Sequence, residues 1–121
     1  SAASDVYKRQ ILHNYLSNSG RDLIYEYINS LPEAEKIDGY TVLQHMEKGE
    51  FDKILFKRWE KKVYEVYFQK NNRVFYITVD KENIYLLHSC RKQKNKTEKK
   101  DANIVRKRAK ELGNMLGRKF I

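Results

Sequence analysis

The stretch RVFYITVDKENIYLLHSC, residues 73–90, decides the fold of this chain. It contains two runs rich in β-branched and aromatic residues, 73–80 and 83–90, and such runs are typical of strands. Only Lys81 and Glu82 separate them, and a connection this short joins antiparallel strands in a hairpin. Both faces of the two strands are apolar, so the sheet needs a cover on each side.

The segment before this hairpin predicts more strands and the first of the two covers. KVYEVYFQ, residues 62–69, predicts a third strand, and we expect antiparallel strands over residues 57–90. Two helical patterns fill residues 20–49, and we expect them to cover one face of the sheet. The second is predicted to end near Gly49 and to bury Ile37, Tyr40, Leu43 and Met46. The apolar run at residues 11–16 is predicted to be the end of another strand.

The segment after the hairpin predicts a basic loop, residues 91–100, and a helix, residues 101–112. The hydroxyl of Thr97 is expected to cap this helix. The apolar stripe that should pack on the free face of the sheet comprises Ala102, Val105, Ala109 and Leu112. The sequence therefore predicts a single α+β domain over residues 11–121, with two N-terminal helices on a small antiparallel sheet and a basic C-terminal helix.

The positive charge of the chain is concentrated in that last segment. Residues 91–110 contain ten basic and two acidic side chains, whereas residues 11–90 contain eleven basic and twelve acidic ones. A charge concentrated on one face attracts a polyanion better than the same charge spread evenly. Lys and Arg runs are also commonly solvated surface, so both interpretations stay open at this point.

Several functional classes have no support in the sequence. Motifs of serine hydrolases, P-loop nucleotide-binding proteins and zinc proteases are absent, and the five glycines leave little room for a phosphate cradle built from backbone. The single cysteine, Cys90, and the three histidines show no metal-ligand spacing, so we expect no metal or other cofactor. No apolar run is long enough to span a membrane, and we expect a cytoplasmic protein with no membrane partner.

The first ten residues, SAASDVYKRQ, need separate treatment. They match the translation of a string that resembles a widely used sequencing-library adapter. We therefore expect residues 1–10 to be a sequencing scar and give them no functional role.

A dense set of cations beside a small sheet suits one reaction that needs no metal, the cleavage of RNA by its own 2′-hydroxyl. The protein must align the attacking oxygen and stabilise the extra negative charge on phosphorus, and fixed Arg and Lys side chains do both. The residues we place there are Arg73, Arg91, Lys92, Lys94 and Lys96. His88 is a candidate proton carrier, although a single histidine on an apolar strand is more often a core residue.

The motifs YEVYF, RVFYITVD and LLHSCRKQKNKTEKKDANIVRKRAKEL, preceded by GRDLIYEYINSLPE, resemble the HigB-like, phage-derived branch of the RelE/ParE toxin superfamily. The resemblance covers nearly all of residues 11–112 and implies a RelE-like fold. Arg73 matches the arginine of an Arg-Val-Phe-Tyr strand, Lys92 the first lysine after it, and Lys96 with Thr97 a Lys-Thr pair. Tyr67 stands where the family has an arginine.

The resemblance implies the toxin of a type II toxin–antitoxin pair, which cuts mRNA on the bacterial ribosome and is held inactive by a helix-turn-helix, HigA-like antitoxin. The catalytic candidates are then Arg73, Lys92, Lys96 and His88. Candidates for contacting mRNA or ribosomal RNA are Arg58, Arg91, Lys94, Lys99, Lys100, Arg106, Lys107 and Arg108. The loss of the arginine at Tyr67 leaves open a non-catalytic RNA- or ribosome-binding module, and a ParE-like gyrase inhibitor is the other alternative.

Overall fold

Five strands and three α-helices make up the described part of the chain, which in this computed structural model comprises residues 9–69, 71–93 and 96–121. The strands are β1 (Ile11–Asn14), β2 (Leu55–Glu60), β3 (Val63–Phe68), β4 (Asn72–Thr78) and β5 (Asn83–Arg91). The helices are α1 (Leu23–Asn29), α2 (Glu33–Glu47) and α3 (Lys99–Leu116), and a 3-10 turn covers Phe51–Lys53. The predicted α+β class is confirmed.

The strands form one sheet in the order β1-β5-β4-β3-β2. Strands β2 to β5 follow one another as an antiparallel meander, as the short connections predict. β1 departs from the prediction because it pairs parallel to β5, with Ile11 opposite Asn83. The prediction of an antiparallel sheet is wrong at this edge, since the long connection after β1 lets that strand lie beside β5 in the same direction.

Helices α1 and α2 cover one face of the sheet and enclose a first core. Ile24 and Ile28 of α1 and Met46 of α2 are fully buried there, together with Val66, Val74 and Ile84 from the strands. Ile37 was expected in this core, but the structure leaves it 56% exposed. The buried face of α2 is instead centred on Gly39, which packs directly against α1 and β3, so Ile37 is turned towards solvent.

Helix α3 covers the other face and encloses a second core. All four residues of the predicted stripe, Ala102, Val105, Ala109 and Leu112, are buried. The helix is longer than predicted, and it ends at Gly117, whose φ of 68° is the left-handed conformation that glycine adopts readily. The prediction that Thr97 caps the helix is wrong, because Glu98 occupies the N-cap position and the Thr97 hydroxyl has no partner within the described residues.

The segment that joins β5 to α3 carries most of the predicted basic loop. Arg91 belongs to the end of β5, so the irregular part begins at Lys92. Lys94 lies outside the described residues. Within the described ranges, none of the helices is long and apolar enough to cross a membrane.

Candidate functional site

Three charged side chains meet on the α3 face of the sheet, where β3, β4 and β5 lie side by side. They are Glu65 of β3, Arg73 of β4 and Lys92, the residue after β5, and we call them the charge trio. Lys92 Nζ lies 2.7 Å and Arg73 Nε 3.1 Å from the same oxygen, Glu65 Oε1. The side chains of Glu65, Lys92 and Arg73 are 1%, 3% and 9% exposed, so the trio is a buried cluster with one net positive charge.

The strand register explains why these three residues meet. Arg73 pairs with Tyr67 on β3 and with Cys90 on β5, and the backbone N–H of Lys92 donates to the carbonyl of Asn71 at 2.9 Å. Alternate residues of a strand point to the same face. Glu65, Tyr67, Arg73, Cys90 and Lys92 therefore share the face that α3 covers.

Further contacts fix the Arg73 guanidinium. Its Nη1 donates to the backbone carbonyl of Asn72 at 3.0 Å, and its Cζ lies 4.8 Å from the centre of the Tyr67 ring. Lys57 of β2 places its ammonium nitrogen 5.9 Å from the centre of the same ring. Tyr67 thus lies among cations at the position where the related sequences have an arginine, and it supplies an aromatic face in place of a further charge.

His88 lies on the same face as the trio, two residues before Cys90. Its Nε2 is 2.8 Å from Asp101 Oδ1 and its Nδ1 is 3.4 Å from Arg108 Nη1, both on α3. Burial lowers the pKa of His88 below its usual value, against the opposing effect of Asp101. His88 is therefore a neutral imidazole at pH 7, and both of its ring nitrogens face side chains of α3.

The atoms His88 Nε2, Cys90 Sγ and an Asp101 carboxylate oxygen lie within 4.8 Å of one another. Histidine, cysteine and aspartate are the ligand types that zinc prefers. Two features oppose a metal at this position. Burial raises the pKa of Cys90 to about 12, which disfavours the thiolate, and the Arg108 cation lies beside His88. The hydrogen-bonded His88–Asp101 pair fits this environment better than a bound cation does.

The remaining predicted cations divide between the two faces of the sheet. Lys96, Lys99, Lys100 and Lys107 are exposed in the loop and on α3, on the same side of the sheet as the trio. Arg106 is also on α3, where it makes a two-pronged ion pair with Glu60 at 2.8 and 3.0 Å and lies over the Trp59 ring. Arg108 is directed inward, where it donates to the carbonyl of Leu87 at 2.8 Å.

Two predicted cations lie away from the trio. Arg91 points to the α1 and α2 face, where its Nη2 lies 2.7 Å from Glu35 Oε1 of α2. Arg58 of β2 pairs with Tyr64, whose ring packs in the first core, so it also belongs to that side of the sheet. The structure thus brings Arg73, Lys92 and His88 together and separates Arg91 and Arg58 from them.

Glu65 is the residue of this cluster that the sequence interpretation missed. Its signal was a single acidic residue in the otherwise apolar and aromatic strand VYEVYF, within a strongly basic chain. A charged side chain at an inward position of a strand is uncommon unless it is paired. That signal identifies a buried ion pair, but the partners follow only from the strand register.

A comparison with protein families finds that the model for "Phage derived protein Gp49-like (DUF891)" matches residues 26–110. The match covers α1, α2 and strands β2 to β5, and it extends into α3. It therefore includes all three residues of the charge trio and most of the basic face of α3. A search of curated proteins finds no significant match.

Proposed function

The chain belongs to the phage-derived Gp49-like family, a family of RelE/HigB-like toxins, and from this premise we propose that it is the toxin of a type II toxin–antitoxin pair that cuts mRNA on the ribosome. The proposal places the protein in the bacterial cytoplasm, with ribosome-bound mRNA, ribosomal RNA and a helix-turn-helix antitoxin as its partners. The observation that carries it is the charge trio, which places two cations from neighbouring strands beside one another on a rigid sheet.

The proposed reaction is attack by a ribose 2′-oxygen on the adjacent phosphorus. A bond forms between these atoms, the bond from phosphorus to the 5′-oxygen breaks, and the products are a 2′,3′-cyclic phosphate and a 5′-hydroxyl. Arg73 and Lys92 would stabilise the extra negative charge on the phosphoryl oxygens, because fixed cations act strongly where water is excluded. Both must turn from Glu65 towards the phosphate, since their side chains are nearly buried in the free protein.

Proton transfer and docking involve other residues in this proposal. His88 is neutral at pH 7, so it is suited to accept the proton from the 2′-hydroxyl, provided that RNA binding frees one of its ring nitrogens from Asp101 or Arg108. Lys96, at the loop before α3, would contact the same phosphate or the next one. The exposed cations of α3 would hold ribosomal RNA through its phosphates.

A non-catalytic ribosome-binding module is the second candidate. The observation in its favour is Tyr67, which replaces an arginine of the related sequences beside Arg73. One missing charge in such a site lowers the rate by orders of magnitude. Such a protein would keep the basic face of α3 and lose cleavage.

The test is to add the full chain to a reconstituted bacterial translation reaction and to map new mRNA ends. We expect cuts in the ribosomal decoding site and a loss of about 100-fold or more in their rate with Arg73→Ala, because that change removes a charge from the transition state. The matched control is Arg21→Ala, which removes an exposed arginine paired with Glu26 at the start of α1 and should cut like the wild type.

Other outcomes separate the alternatives. Intact mRNA with ribosome binding retained would identify a binding module and overturn the proposed cleavage. Intact mRNA without ribosome binding would overturn both, and a DNA gyrase supercoiling assay would then test the ParE-like alternative.

A further inference from the structure

Glu65 is the most deeply buried member of the charge trio and the only acidic one. We infer that Glu65 is a positioning residue, whose carboxylate holds Arg73 and Lys92 in the arrangement that they need to receive an RNA phosphate. This inference rests on the proposed function and adds a residue that acts through the two cations rather than on the RNA itself.

The first argument is that both cations approach a single oxygen. Lys92 and Arg73 come from different strands, yet their nitrogens lie 2.7 and 3.1 Å from Glu65 Oε1. Two cations that share one oxygen are close enough to repel each other strongly in a buried site. Without the carboxylate they would move apart or turn away, so the negative charge of Glu65 is what allows them to stay together.

The second argument is that the contacts of the trio are close but poorly directed. Glu65 Oε1 and Arg73 Nε are both buried, and neither makes a properly angled hydrogen bond within the described part of the chain. Buried polar groups are nearly always hydrogen-bonded, and exceptions often mark functional sites. The hydrogens of the two cations are therefore available to a better-placed acceptor, such as a phosphoryl oxygen.

The third argument is that Arg73 is fixed on several sides while keeping some access. Glu65 lies at Nε, the carbonyl of Asn72 accepts from Nη1, and the Tyr67 ring lies against the guanidinium plane. The side chain remains 9% exposed. A guanidinium fixed in this way can present its remaining edge in one orientation, which is what transition-state stabilisation requires.

Stability alone does not account for an acidic residue at this position. Val63 and Val66 of the same strand are fully buried, and Phe75 lies opposite Glu65 on β4. In such surroundings, replacement of a buried ion cluster by apolar side chains is commonly neutral or stabilising. A role in placing charge explains the trio where a role in packing does not.

The test is a double-mutant cycle of Glu65→Gln and Arg73→Ala, measured as single-turnover cleavage of ribosome-bound mRNA. Glutamine keeps the size of the side chain and removes its charge. We expect Glu65→Gln alone to lower the maximal cleavage rate by roughly 100-fold, the effect of a small misplacement of catalytic groups, and to leave the ribosome concentration at half-maximal rate nearly unchanged. In the Arg73→Ala background the same change should have little further effect, because its target is already absent.

Glu65→Asp and Glu26→Gln complete the design. Aspartate keeps the charge on a shorter side chain, so its cleavage rate should fall between those of the wild type and Glu65→Gln. Glu26→Gln removes a carboxylate from the exposed ion pair with Arg21, far from the trio, and should cleave like the wild type. If Glu65→Gln does not fold, the cycle is run with Glu65→Asp, and the same absence of a further effect in the Arg73→Ala background is required.

The outcomes distinguish this inference from the proposed function. Equal cleavage by Glu65→Gln and wild type, or losses that multiply in the double mutant, would overturn the positioning role alone. A wild-type protein that cleaves no mRNA would overturn the proposed function and this inference with it.

Discussion

At the scale of the single residue, Gly39 shows how a helix interior accommodates a poor helix former. A Cβ atom built on Gly39 would lie 3.0 Å from Ile28 Cγ2 and 3.1 Å from Phe68 Cζ. These distances are tighter than nearly all real Cβ contacts, so α2 approaches α1 and the sheet closely at this point. The glycine that weakens the helix by its own propensity therefore allows the first core to close.

We expect Gly39→Ala to lower the free energy of unfolding by about 1 to 3 kcal/mol, since overpacking of the core outweighs the better helix propensity of alanine. Urea denaturation measures the change. Gln44→Ala, at an exposed position of the same helix, is the control and should change stability little. A Gly39→Ala protein as stable as the wild type would show that α2 can shift away from α1 without cost.

His88 is the second residue whose surroundings predict a measurable property. Its ring packs between Phe75 on the sheet and Asp101 and Arg108 on α3. Burial lowers its pKa below 6.5, so the folded protein keeps the neutral ring where the unfolded chain already takes up a proton.

The free energy of unfolding should therefore fall as the pH drops below about 6.5, by less than about 1.4 kcal/mol per pH unit, because the unfolded state binds the extra proton. Denaturation curves between pH 8 and 5.5 test this sign. His88→Gln removes the titrating group, and its stability should depend less on pH over this interval. Equal pH dependence in the two proteins would contradict the assignment.

At the scale of the element, α3 has two faces with different roles. One face is the apolar stripe in the second core, and the other exposes lysines to solvent. The sequence predicted the stripe correctly, because a period of 3.6 residues in small apolar side chains is a strong local signal. The two ends were not predicted, since Glu98 rather than Thr97 takes the N-cap position and Gly117 ends the helix after an additional turn.

We expect the double substitution Lys100→Gln and Lys107→Gln to weaken ribosome binding and to reduce its salt dependence by about one logarithmic unit per lost phosphate contact. Fold stability should be nearly unchanged, because both side chains are exposed. Binding is measured by co-sedimentation at several salt concentrations. Lys36→Gln with Lys48→Gln, on α2 and its C-cap across the sheet, removes the same charge, and an equal effect there would argue against a specific basic face.

The sheet shows what local patterns can and cannot predict. Strands β3, β4 and β5 follow from their composition and short connections, whereas the parallel pairing of β1 depends on contacts between distant parts of the chain. The site divides in the same way. The density of basic residues indicated Arg73 and Lys92, but the interaction of both with Glu65 required the register of three strands.

At the scale of the whole molecule, two cores lie on opposite faces of one sheet and share its central strands. Tyr76 and Leu86 point into the first core, and Phe75 and Leu87 into the second. Because each central strand contributes to both cores, neither core can be lost without disturbing the sheet between them.

We therefore expect unfolding in a single transition, even when one core is weakened. Ile28→Ala in the first core should cost about 2 to 5 kcal/mol and Val105→Ala in the second about 2 kcal/mol. In both variants, Trp59 fluorescence, which reports on the second core, and far-ultraviolet circular dichroism should give coincident urea transitions. A Trp59 transition that precedes the other signal in Val105→Ala would show that the cores unfold separately.

The parallel edge of the sheet also has a consequence for the order of folding. The meander from β2 to β5 needs only short loops, whereas pairing of Ile11 with Asn83 closes a loop that contains most of the chain. The entropy cost of loop closure rises with the length of the loop, and such contacts slow folding. We expect the hairpins to associate first and β1 to join last, so that until then β5 presents an unpaired edge to any other extended segment.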